Sequence, residues 1–149
     1  MLSPLTYANT IIRKALETRT PLSPMKLQKL LYLLYARTLF LHNDTLFSEQ
    51  FEKWQFGPVL PVIYDAFKRF RDRPIDEFYY NADGQVAVVG RAFTEFYDCF
   101  DEVWNRFGGL NGIELSRLTH RAGTAWCKTG GIILKQEDIR EDGEKLFAP

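Results

Sequence analysis

Histidine and cysteine are scarce in this 149-residue chain, with two of each. His42 and His120 have no second ligand at helical or turn spacing, so a histidine-based metal site is excluded and no cofactor is expected. Cys99 and Cys127 cannot build a disulfide framework; two free thiols point to a reducing, cytoplasmic setting. No apolar run reaches the roughly 18 residues of a membrane span. Pro4, Asn9 and Arg13 interrupt the stretch where a signal peptide's apolar segment would begin. Formal net charge is zero, so no global field draws the protein to nucleic acid or an anionic membrane. Internal repeats, low-complexity runs and domain-dividing linkers are missing too. There is no Gly-x-Ser-x-Gly context and no Gly-rich phosphate loop. The one pairing left for a nucleophile and its base is Cys127 with His120; the alternative is a small packed thiol beside Trp126. Together these absences argue against an enzyme.

Aromatics are abundant at 15%, with twelve Phe and seven Tyr, which favours a thick core in a single domain over 1–149. Charge is unevenly placed. Residues 1–75 carry 11 basic and 6 acidic groups and residues 76–149 carry 8 and 13, so the halves either neutralise each other or polarise the surface toward a charged partner.

The pattern predicts a mainly α, compact single-domain helical bundle with a central apolar helix and a small β-hairpin. Ser3-Pro4 and Ser23-Pro24 each read as an N-cap followed by proline at the first helical position. The first helix runs to about residue 17, with Ile11, Ile12, Ala15 and Leu16 inward. The second, from Pro24 to about Leu41, is apolar around most of its circumference and is the central helix. Its exposed stripe is expected at Lys26, Lys29 and Arg37, with Leu33 among them; Gln28 points into the apolar arc and needs a buried partner.

Residues 42–57 read either as irregular or as carrying a short strand at 52–55, followed by a sharp Gly57-Pro58 turn opening a helix near Pro58, with Leu60, Ile63, Tyr64, Phe67 and Phe70 buried. Residues 77–89 read as the hairpin, turning at Asn81 to Gly84. Phe93, Phe96, Tyr97, Phe100, Val103, Trp104 and Phe107 keep helical spacing opposite an acidic face of Glu95, Asp98, Asp101 and Glu102. Asn111 and Glu114 form a capping box for a short helix, and Thr124 caps another turn carrying Trp126. The segment from Gln136 to Phe147 reads either as a polar helix or as a loosely held tail.

Arg69, Arg71 and Arg73 at a helix end, together with the Lys26, Lys29 and Arg37 stripe, suit either a solvated face or an acidic partner. A nucleic-acid reader would need a recognisable module, and none is found.

The ordered blocks resemble the Panacea (SocA-like) antitoxin family over about residues 7–126. They comprise Asn9; Lys26-Leu27-Gln28-Lys29-Leu30-Leu31-Tyr32; Trp54; Gly57-Pro58-Val59 and Tyr64; and Leu118-Thr119-His120 with Trp126. Phe56 stands where the family often has Tyr, and no acidic residue lies between His120 and Trp126. The resemblance implies a cytoplasmic antitoxin from a mobile element or prophage that binds a cognate toxin encoded next to it. Two other readings are a proteolytic adaptor that presents the toxin to an ATP-dependent protease through the C-terminal Glu144 to Pro149, and a nucleic-acid-binding regulator of its own operon. Membrane and nucleic acid are not expected partners. The toxin-contact candidates are Lys26, Lys29, Arg37, Trp54, Phe56, Gly57 and Pro58.

Overall fold

A computed structural model describes residues 1–149. Seven helices and two short strands follow in the order α1 (Pro4–Thr18), α2 (Pro24–His42), β1 (Glu52–Trp54), β2 (Gly57–Val59), α3 (Pro61–Phe67), α4 (Thr94–Phe107), α5 (Gly112–Thr119), α6 (Ala125–Lys128) and α7 (Gln136–Lys145). A 3-10 turn, Lys68–Phe70, extends α3. No helix is long and apolar enough to cross a membrane.

Both Ser-Pro signals work as read. Ser3 accepts from Leu5 N and Ser23 from Lys26 N, each with proline in the first helical turn. Asn111 and Glu114 close a reciprocal capping box on α5. Central α2 packs against α1, α3, α4, α5, α7 and β2. One continuous apolar core surrounds it, from Ile11 and Ile12 through Leu27, Leu30, Leu31 and Leu34 to Phe100, Leu115 and Ile139.

Encirclement corrects the expected exposed stripe. Lys26 is 4% exposed and Lys29 1%, and Leu33 is fully buried. Each cation finds an internal acceptor. Lys26 Nζ donates to Gly108 O (2.6 Å) at the end of α4. Arg37, half-buried, grips Glu102 with two N–H groups (2.8 and 2.9 Å) and Gly143 O with a third (2.8 Å). Polar residues on a helix face mark solvent only where no neighbour supplies carbonyls or carboxylates, and α2 has neighbours on every side.

The hairpin lies at 52–59, with Glu52, Lys53 and Trp54 opposite Val59, Pro58 and Gly57. α3 therefore starts at Pro61 rather than near Pro58. Residues 77–89 form no strand. Their turn closes through Asn81 N to Gln85 O (2.9 Å), but buried Asn9 separates the arms beyond it. Its amide accepts from Tyr79 N (2.8 Å) and donates to Tyr79 O and Ala87 O (3.0 and 3.1 Å). Thr10 takes Val89 N (2.9 Å) in the same way.

Three residues expected inward face solvent: Leu16, Tyr64 and Phe93. Phe93 sits before the first turn of α4, where helical spacing no longer fixes its direction. The C-terminal segment is no loose tail. α7 docks on α2, and an added Cβ at Gly143 would collide with Ala36 O, so only glycine permits this crossing. Leu146 and Phe147 are buried whereas Glu144, Lys145, Ala148 and Pro149 are exposed, so the expected C-terminal handle is anchored at its centre.

A clamped aromatic turn as the candidate functional site

The Trp54–Leu60 segment is the tip and second arm of a hairpin only three pairs long, so the carbonyls that its arms do not pair need partners from elsewhere. Side chains of α2, α5 and α6 supply them. Trp126 Nε1 donates to Trp54 O (2.7 Å), Ser116 Oγ to Phe56 O (2.7 Å) and Lys29 Nζ to Pro58 O (3.0 Å). His120 Nε2 lies 2.9 Å from Gln55 O. Gln28 brackets Leu60, donating to its O (3.0 Å) and accepting from its N (2.9 Å).

Gly57 lies at the centre. Its φ of +120° suits only glycine, and an added Cβ would stand 2.6 Å from Lys29 Cε and 2.8 Å from Thr119 Oγ1. Lys29 has no carboxylate partner, and burial pushes its ammonium down to about 7. The Trp126 ring lies against His120, 3.9 Å between centroids and tilted by 44°, and Lys53 Nζ lies 4.6 Å over the Trp126 ring.

The sequence blocks that looked most like an interface are thus largely internal. Lys26, Lys29, Gly57 and Pro58 are buried, and Arg37 is spent on Glu102 and Gly143. Trp54 is half-buried against Tyr64 (4.9 Å), whereas Phe56 is 55% exposed and Tyr64 43%. Beneath them a cavity of about 390 Å³ opens between α2, the hairpin and α3, walled by Met25, Trp54, Phe56, Val59, Ile63 and Tyr64. Gln28, Lys29, Gln55 and Arg71 supply polar groups.

Cys127 Sγ is directed at His120 O (3.1 Å) and Arg121 O (3.2 Å), and the imidazole nitrogens face Ser116 O and Gln55 O. The thiol and ring therefore do not form a nucleophile–base pair. Sequence reading missed a second internal latch. Tyr32 Oη donates to Asp142 Oδ2 (2.5 Å), and the same carboxylate receives Ala125 N at the start of α6. Burial is the chief cause that raises both the Asp142 carboxyl and the Tyr32 phenol. The place of Tyr32 on a helix apolar around most of its circumference was the available signal, since a buried phenol demands an acceptor.

The arrangement is that of a helical scaffold presenting a rigid aromatic turn. The family model for "Antitoxin SocA-like, Panacea domain" matches residues 27–127, more than half of the chain, which therefore belongs to that family. The chain is also similar to Antitoxin SocA of Caulobacter vibrioides (strain NA1000 / CB15N), at 26% identity over 136 residues. That alignment covers 80% of this chain and 65% of the relative, so the chain spans just under two thirds of the relative's length. No solved structure matches.

Proposed function

We propose that this protein is an antitoxin that neutralises a cognate toxin by direct protein contact, using the face around the Trp54–Pro58 turn. Family membership carries the reading. The turn adds physical support, because clamping its carbonyls from three helices holds Phe56 outward, beside the exposed Tyr64 of α3, and lowers the ordering cost at binding. Large aromatics on a rigid frame are favoured anchors of protein interfaces. Lys29, Gly57 and Pro58 serve the contact indirectly, by holding the turn in shape.

The test is co-expression with the product of the adjacent reading frame. Growth rescue with a near-equimolar complex supports direct neutralisation. Rescue in which the toxin disappears, and returns when the host's ATP-dependent protease is deleted, replaces it with the adaptor mechanism. Absence of toxicity from either neighbouring gene removes the antitoxin reading.

A further inference from the structure

The cavity under the clamped turn has one sign of charge. Its ionisable lining groups are Lys29, Tyr64 and Arg71; Glu52 accepts from the Trp54 indole N–H (3.0 Å) but does not line the cavity. The larger groove beside Phe93 holds two carboxylates, Asp44 and Glu95, with His42 Nδ1 3.2 Å from Glu95.

Arg71 stands out from its basic neighbours. Lys68 pairs with Asp65 (3.3 Å), Arg69 with Glu77 (3.7 Å), and Arg73 donates to Arg69 O (3.2 Å). The Arg71 guanidinium is exposed and has no partner in the chain. Its backbone is held at φ +57° and ψ −114°, a conformation that side-chain-bearing residues rarely adopt, with its N–H on Lys68 O. Apolar walls, an aromatic rim and an unpaired guanidinium at the mouth suit one kind of guest.

We propose that the cavity between α2, the hairpin and α3 receives a large apolar side chain of a partner protein, with a carboxylate beside it pairing to Arg71. This rests on the antitoxin reading for the partner's identity, but not for the chemistry of the site. The apolar group displaces water from Val59, Ile63 and Tyr64, and the carboxylate meets a guanidinium already free of internal partners. A cationic guest finds no carboxylate in the lining.

Two small probes test the chemistry without the toxin. Indole-3-acetate should shift the Trp54 indole N–H resonance saturably, and tryptamine, its cationic counterpart, should bind at least about tenfold more weakly. Arg71→Glu should weaken indole-3-acetate by about tenfold or more, while Arg73→Glu leaves it unchanged. Equal binding of the two probes, or no shift with either, overturns the proposal. With the toxin, Arg71→Glu and Phe56→Asp should each lower affinity by about tenfold or more, with unfolding midpoints close to wild type. Wild-type rescue that both variants match would overturn the cavity assignment and leave the antitoxin role standing. Failure of wild-type rescue removes the antitoxin role and leaves the probe result to judge the cavity.

Discussion

Residues 52–59 and 77–89 make an instructive pair. The second has the stronger strand composition, with Phe78-Tyr79-Tyr80 and Val86 to Val89 on either side of an Asn-Ala-Asp-Gly turn. The first is short and contains Gly57-Pro58. Yet only the first pairs its arms. Around 52–59, side chains of α2, α5 and α6 take outward carbonyls and leave the inter-arm groups to each other; Ile132 to Leu134 also adds main-chain bonds along β1. In 77–89 the Asn9 amide enters from α1 and takes main-chain groups of both arms itself. Strand propensity loses to the question of which partner reaches the backbone first.

The largest way to break this contrast is Gly57→Val. A side chain must meet both Lys29 and Thr119 at a φ it rarely adopts, so the loss should be about 3 kcal/mol or more in urea unfolding. Amide protection should fall around β1 and β2 while 77–89 keeps its own. A variant within about 1 kcal/mol of wild type would refute the clamp.

Asn9→Ala attacks the other segment. Three hydrogen bonds go and buried main-chain groups are stranded, so about 2–3 kcal/mol should be lost. Hydrogen exchange should quicken at Tyr79 more than at Trp54; the reverse order would mean that Asn9 is not what organises 77–89.

Lys29 sharpens the comparison through pH. Its folded-state value, about 7, lies below the ordinary 10.5, so between these limits the unfolded chain binds the extra proton. Stability should therefore rise with pH across that window, with a slope of up to about 1.4 kcal/mol per pH unit. Lys29→Met should flatten that slope in urea titrations at pH 7.5 and 9. An unchanged slope would assign the proton elsewhere.

The smallest effect should come from Ser116→Ala, which removes one hydrogen bond to Phe56 O and should cost about 1 kcal/mol in thermal or urea unfolding. Toxin affinity should fall more than stability if the turn's rigidity matters to binding; a matched loss in both would reduce Ser116 to a packing role.

Much of the fold is legible in the chain because its signals are local. Ser-Pro starts and the Asn111–Glu114 box act within a few residues, and α4's spacing needs only its own helix. The need of Gln28 for a buried partner is legible too, and Leu60 meets it on both atoms. The candidate site is less legible. Lys26 and Lys29 look like surface because their acceptors, Gly108 O and Pro58 O, lie 82 and 29 residues away. Tyr64 looks like core because helical spacing counts a position as inward without knowing that a cavity opens beside it.

By itself, then, the sequence determines most of the helices, the capped starts of α1, α2 and α5, the central apolar α2 and the likeness to the SocA-like family, all properties of short-range patterning. The cap expected of Thr124 is not made, because its hydroxyl donates to Thr119 O and Arg121 O. Tertiary structure alone decides that α2's cations are internal, that 52–59 rather than 77–89 is the hairpin, and that the last helix belongs to the core. The physical reason is common to all three. A polar group follows whichever partner folding brings within hydrogen-bond reach, and that partner is seldom near it in the chain.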